Sequence, residues 1–107
     1  MPHTLPSAID SMIAATNSAD DAAFLAAFAE DAEVADGDRV FHGREGAARW
    51  NASDNIGVGM HYELVSWSSV GKDAYEVILR ARSRRFSGTG TLRIAIRDGL
   101  ISAMAPV

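Results

Sequence analysis

Cysteine is missing from all 107 residues, which excludes disulfide bridges, thiolate zinc sites, iron–sulfur ligation and cysteine nucleophiles together. The sequence also has no apolar run of about eighteen residues, and its first residues lack the basic segment and apolar stretch of a signal peptide. We therefore expect a cytoplasmic protein with no membrane segment. The length allows a single domain, residues 1–107, that is stabilised by an ordinary apolar core.

Histidine is scarce as well. His3, His42 and His61 lie far apart and show no ligand-type spacing, so we expect no metal site. A phosphate loop at Gly57-Val58-Gly59 is excluded because position 62 is tyrosine rather than glycine. The sequence therefore predicts no cofactor.

Aromatic residues make up only 7% of the chain, and the charges are divided along it. Residues 1–55 contain ten acids and three bases, net −7, whereas residues 56–107 contain four acids and seven bases, net +3. A basic half raises the question of nucleic acid. Aromatic stacking platforms are too few for that, and the overall charge of −4 repels a polyanion, so we expect no nucleic-acid partner.

Alanine is concentrated before residue 53, and apolar residues recur there at helical spacing. The predicted helices run from Leu5 to Thr16, from Ala19 to Ala29 and from Arg44 to Asn51. Capping signatures at Ser7 and Ser18 are expected to begin the first two helices. Gly46 shortens and weakens the third.

β-Branched and alternating segments follow in the second half. A short hairpin is predicted before them, with 33–35 and 39–41 as its arms and Asp36-Gly37-Asp38 as its turn. The later strands are predicted at 61–70, 74–86, 89–97 and 100–105. Because tight turns separate them, we expect a consecutive antiparallel meander.

The strand from 74 to 86 alternates between an apolar and an arginine-bearing face. The arginines of neighbouring strands then share one outward surface. They are expected to face solvent or a second subunit, or to pair with acids such as Glu63 and Glu76. Arg85 breaks the alternation and falls on the apolar side, where it could contact an anion at the mouth of a pocket.

The segments Ala27-Phe28-Ala29-Glu30-Asp31-Ala32-Glu33-Val34-Ala35-Asp36 and Phe41-His42-Gly43-Arg44-Glu45-Gly46 resemble the nuclear transport factor 2-like superfamily. Within it, the sequence is most similar to SnoaL-like polyketide cyclases and ketosteroid isomerases. The resemblance implies an α+β fold, in which a cone-shaped, curved antiparallel sheet of about five or six strands wraps around N-terminal helices. It also implies an apolar pocket and frequent dimerisation through the sheet.

The resemblance puts Asp36 where the isomerases have their general-base carboxylate. Their hydrogen-bonding tyrosine in the first helix corresponds to Met12, and their protonated aspartic acid falls near Arg93. Met12 cannot donate a hydrogen bond, so steroid isomerisation by that mechanism is not expected. Asp36 also has the alternative role of an Asp-Gly turn residue.

We therefore predict a homodimer with an apolar pocket for a small hydrophobic molecule. The protein is expected to be a cofactor-free isomerase, cyclase or hydratase; the alternative is a non-enzymatic module for ligand binding or dimerisation. The candidate catalytic residues are Asp36 and His61. The candidate ligand-binding residues are Met12, Phe28, Trp50, Tyr62 and Arg85. Large apolar side chains also fill ordinary cores, and that alternative applies to Met12, Phe28, Trp50 and Tyr62.

Overall fold

The computed structural model describes residues 5–107, and His3 lies outside them. The helices are α1 (Ser7–Asn17), α2 (Asp21–Ala26) and α3 (Gly43–Asp54), followed by a 3₁₀ segment at Ile56–Val58. The strands are β1 (Phe28–Asp36), β2 (Arg39–His42), β3 (His61–Gly71), β4 (Ala74–Arg82), β5 (Ser87–Arg97) and β6 (Leu100–Pro106). Among residues 5–107, no helix is both long enough and apolar enough to cross a membrane.

The six strands form one sheet in the order β2-β1-β6-β5-β4-β3. All neighbours are antiparallel except β1 and β6, which run parallel. Val65 in β3 and Ser102 in β6 have no partner on the adjacent strand, and extra residues of this kind bend a sheet. The predicted α+β fold with a curved sheet is confirmed, and so is the meander from β3 to β6.

The helices cover the inner face of the sheet and enclose one apolar core. In β4, Val77 and Leu79 are buried, whereas Arg80 and Arg82 are exposed, as the alternation predicts. The rings of Phe24 in α2 and Phe28 in β1 lie 4.8 Å apart. The fully buried residues at the centre include Ile9, Met12, Phe24, Phe28, Val77, Ile94 and Ile101.

The ends of the first two helices differ from the prediction. Ser7 is the first residue of α1 and makes no capping bond, and Asp20 rather than Ser18 caps α2. The Asp20 carboxylate accepts a hydrogen bond at 3.0 Å from the backbone N–H three residues later. The second helix ends three residues before its predicted end, because Phe28 joins β1 and pairs with Ile101 of β6.

Helix α3 is longer than predicted at both ends. Gly46 lies where this helix packs on β2, and a Cβ there would come 2.6 Å from the carbonyl carbon of Phe41. Glycine therefore permits a close approach of backbone to backbone.

The outward face of the sheet carries paired charges. Arg80 Nη1 lies 2.8 Å from Glu63 Oε1, and Arg93 donates two hydrogen bonds to Glu76. Both pairs join residues directly opposite each other on adjacent strands. This arrangement agrees with the interpretation that these arginines pair with Glu63 and Glu76.

Candidate functional site

A cavity of about 420 Å³ opens between α3 and the inner face of β3, β4 and β5. Its apolar lining includes Leu79 and Ala81 of β4, Leu92 of β5 and Met60 before β3. The end of β6 and the turn after β4 complete it. The volume lies within the range of cavities that bind small molecules.

Asp36 brings a carboxylate to this cavity from the last position of β1. Its Oδ2 accepts a hydrogen bond from Trp50 Nε1 at 3.0 Å and another from Arg39 Nη2 at 3.1 Å. Its Oδ1 has no hydrogen-bond partner among residues 5–107. The carboxylate is thus held by one oxygen while the other is available to a ligand.

Trp50 is oriented for this contact by α3 and the core. The side chain is buried, and its ring stacks on Phe24 with centroids 6.2 Å apart. Its indole N–H, the donor that a buried tryptophan must satisfy, points to Asp36. Trp50 therefore belongs both to the core and to the cavity wall.

Tyr62 enters the cavity from β3, next to the first residue of the strand. The Asn17 side chain fixes its backbone: Asn17 Nδ2 donates to the Tyr62 carbonyl at 2.9 Å, and Tyr62 N–H donates to Asn17 Oδ1 at 2.8 Å. Burial, with a smaller contribution from the negative charge of Asp36, strongly raises the pKa of the Tyr62 phenol. The hydroxyl is therefore a neutral hydrogen-bond donor at ordinary pH.

A buried amide network anchors α3 to the other helices. Asn55 Nδ2 donates to Thr16 Oγ1 of α1 and to Asn51 Oδ1, both at 3.0 Å. Asn51 Nδ2 in turn donates to Asp21 of α2 at 2.8 Å. These bonds fix the helix that carries Trp50.

A row of alternating charges lies at the mouth of the cavity. Arg39 bridges Asp36, at 3.1 Å, and Asp54, at 3.2 Å, and Arg85 lies 3.7 Å from the other oxygen of Asp54. Burial alone would raise the pKa of Asp54, but hydrogen bonds from Ser53 and Arg39, together with the charges of Arg39 and Arg85, lower it below its usual value.

Four of the predicted site residues line this cavity: Asp36, Trp50, Tyr62 and Arg85. Met12 and Phe28 are fully buried in the core and are not among the lining residues. His61 is exposed on the opposite face of β3 from Tyr62, because neighbouring residues of a strand point in opposite directions. Its position gives no support to a role in this cavity.

Asp54 is the charged lining residue that sequence reasoning missed. It stands four residues after Trp50 in α3, and residues at that spacing share one face of a helix. The sequence predicts a helix that ends at Asn51, which leaves Asp54 outside the helix. The described residues contain no group of three His, Cys, Asp or Glu side chains that could hold a metal ion.

No protein-family model and no curated protein matches the sequence. Solved structures do match. A protein from Sinorhizobium meliloti assigned as a polyketide cyclase superposes with a TM-score of 0.86 at 24% identity, over 96% of this chain and 95% of its own. An NTF2-like protein of unknown function from Cytophaga hutchinsonii gives 0.81 at 13% identity, over 100% and 91%. RV0760c from Mycobacterium tuberculosis, in complex with estradiol-17β-hemisuccinate, gives 0.80 at 17% identity, over 94% and 89%.

Proteins assigned as SnoaL-like and as ketosteroid isomerases share the same architecture. Sequence identities this low support a common fold and leave the activity to be argued from the site. The chain therefore has the nuclear transport factor 2-like fold that its sequence resembles.

Proposed function

We propose that the protein binds a small, mostly hydrophobic carbonyl compound in this cavity, and that Asp36 transfers a proton on it without a cofactor. The reaction would be an isomerisation, cyclisation or hydration. The observation that carries the proposal is the Asp36 carboxylate in an apolar cavity, with one oxygen bonded to Trp50 and Arg39 and the other unbonded among residues 5–107.

Tyr62 supplies the hydrogen-bond donor that Met12 cannot. Its phenol stays protonated because burial, and to a smaller extent the charge of Asp36, raise its pKa. The hydroxyl therefore donates to the carbonyl oxygen of the ligand and stabilises the negative charge that develops there.

The reaction then proceeds in two steps, removal of a proton and its return. Asp36 Oδ1 takes a proton from the carbon next to the carbonyl, and the electron pair of that C–H bond forms the enolate. In an isomerisation, Asp36 returns the proton to another carbon of the enolate. In a cyclisation, the enolate carbon attacks a second carbonyl, and Asp36 protonates the resulting alkoxide.

Two observations support this class of ligand: the volume of the cavity and the ligand of RV0760c, a protein with the same fold. The cavity of about 420 Å³ matches a ligand of a few fused rings. RV0760c, which shares the fold, is known in complex with a steroid ester. A polycyclic or aryl ketone is thus a reasonable first ligand to assay.

The test compares wild type with Asp36→Asn on a polycyclic β,γ-unsaturated ketone, with conjugation of the double bond followed by ultraviolet absorbance. We expect turnover to fall at least about 100-fold, the usual contribution of a general base. Asp38→Asn is the matched control, since Asp38 is an exposed carboxylate two residues away. Equal turnover in wild type and Asp36→Asn would rule out the catalytic proposal.

A non-enzymatic binding module is the second candidate. It is favoured by the Trp50 and Arg39 bonds to Asp36, which also fit a structural role at the end of a strand, and by the missing donor at Met12. Trp50 fluorescence, measured in a Trp67→Phe background so that Trp50 is the one remaining tryptophan, separates the two functions. Ligand binding without turnover in both wild type and Asp36→Asn would support the binding module.

We also infer a homodimer through the outward face of the sheet, in the cytoplasm. Ala95, Ala103 and Ala105 are small residues at the middle of that face, which allows close approach of a second sheet. Two arginines of that face, Arg80 and Arg93, are paired with glutamates, which argues against a nucleic-acid partner.

A further inference from the structure

We propose that the mouth of the cavity is a carboxylate site, so that the ligand is an amphipathic acid with its anionic end on Arg85 and its apolar part inside. The proposal rests on the ligand-binding function proposed above and specifies the class of ligand.

The turn after β4 holds Arg85 at the mouth. Ser83 N–H donates to the Phe86 carbonyl at 2.7 Å, and the Ser83 hydroxyl accepts from the backbone N–H groups of Arg85 at 3.1 Å and Phe86 at 3.0 Å. Arg84 N–H attaches the turn to the Val58 carbonyl at 2.9 Å. With its backbone fixed in this way, Arg85 leaves the alternation of β4 and lines the cavity.

The guanidinium of Arg85 is only partly used by the protein. Its Nη1 donates to the Ser53 carbonyl at 3.2 Å and lies 3.7 Å from Asp54. Its Nε and Nη2 have no acceptor among residues 5–107. Asp54 has a closer cation in Arg39, at 3.2 Å. The unused N–H groups match the two oxygens of a carboxylate.

The surroundings favour one orientation of such a ligand. Phe86 and Val107, which line the cavity, are 52% and 71% exposed and give Arg85 apolar neighbours at the mouth. Within the described part of the chain, Arg84 has no carboxylate within 4.0 Å and adds positive charge to the same turn. Asp36, which Trp50 and Arg39 hold at the end of β1, repels an anion from that side of the cavity. The acid group therefore stays at the mouth while the apolar part enters.

A matched pair of fluorescent probes tests this arrangement: dansylaminoundecanoic acid and its uncharged methyl ester. Wild type is expected to bind the acid at least about fivefold more tightly than the ester. Arg85→Gln is expected to weaken acid binding about tenfold, the size of one lost charge-assisted contact, and to leave ester binding within about twofold. Arg82→Gln is the control, because this substitution removes the same charge and Arg82 is exposed and lies outside the cavity.

The results separate failure of the carboxylate site from failure of ligand binding. Equal affinity of wild type for acid and ester, or an equal loss for both probes in Arg85→Gln, would overturn the carboxylate site while leaving ligand binding intact. An equal loss of acid affinity in Arg82→Gln and Arg85→Gln would also overturn it, because general charge would then explain the preference. If wild type binds neither probe, the proposed ligand-binding function itself fails.

Discussion

At the residue scale, Trp50 combines two contacts that can be separated by substitution. Its ring stacks on Phe24, and its indole N–H donates to Asp36. Trp50→Phe keeps an aromatic ring and removes the donor, so we expect the free energy of unfolding to fall by about 1 kcal/mol in urea titrations. Trp67→Phe is the control, since Trp67 is only half-buried and packs on Tyr75. Equal losses in the two variants would show that the Asp36 contact contributes nothing.

Because the phenol of Tyr62 is buried, we expect the folded protein to lose stability at alkaline pH. The unfolded chain releases the phenolic proton near the ordinary pKa of 10.0, whereas the folded protein retains it, because burial foremost raises the native pKa. Above that pH the unfolded state binds fewer protons, so stability falls as pH rises, by up to about 1.4 kcal/mol per pH unit.

Tyr62→Phe should flatten this dependence, measured by urea unfolding from pH 9 to 11. Tyr75→Phe serves as the control, because Tyr62 is retained in it. Parallel curves for wild type and Tyr62→Phe would contradict the assignment of a neutral, buried phenol.

Part of the site was predictable from the sequence at this scale. The break in strand alternation singles out Arg85, which lines the cavity. The prediction of both His61 and Tyr62 as site residues overlooked that neighbouring residues of a strand face opposite sides of the sheet. The bonds between Asp36, Trp50 and Arg39 were not predictable, because three different elements supply the partners. Such contacts depend on packing angles that no local pattern encodes.

At the scale of elements, the packing of α3 on β2 reverses the effect that helix propensity alone predicts for the substitution Gly46→Ala. Propensity alone makes Gly46→Ala stabilising by about 1 kcal/mol. The new Cβ would instead lie 2.6 Å from the Phe41 backbone, so we expect a net destabilisation of about 2 kcal/mol by thermal or urea unfolding. Gly90→Ala, with no atom within 4 Å of its Cβ, should change stability by less than about 0.5 kcal/mol. A stabilised Gly46→Ala would contradict the close contact of α3 with β2.

The elements also differ in how far sequence predicts them. The meander was predictable because short connections such as Asp98-Gly99 join its consecutive strands, although residues 83–86 rather than the predicted Ser87-Gly88 connect β4 to β5. The early end of α2 was not, since Phe28 leaves the helix to pair with Ile101, more than seventy residues later. A long-range partner here overrides the helix propensity of an alanine-rich segment.

At the scale of the whole molecule, the proposed dimer gives a mutational test. We expect sedimentation to show twice the chain mass of 11.4 kDa. Ala103→Arg adds a large charged side chain to the proposed interface and should give monomers. Ala22→Arg, on the exposed side of α2, is the control. A monomeric wild type at micromolar concentration would contradict the dimer.

Two ion pairs join the acidic and the basic halves of the chain in the folded protein. Arg97 of the basic half pairs with Asp31 of the acidic half, and Arg85 lies near Asp54. Arg80 and Arg93 pair with glutamates of their own half. We therefore attribute three of the seven basic residues of this half to pairs within the sheet, and we assign the turn at Arg84 and Arg85 to a ligand.

The side-chain bonds of Asn17 have a further consequence for contacts between molecules. β3 is an edge strand, and such edges invite pairing with strands of other chains. Asn17 fills both the donor and the acceptor of Tyr62 that an incoming strand would use. Three residues on, the bulge at Val65 breaks the regular spacing of the edge. The same amide that fixes a cavity residue thus blocks strand pairing at the start of this edge.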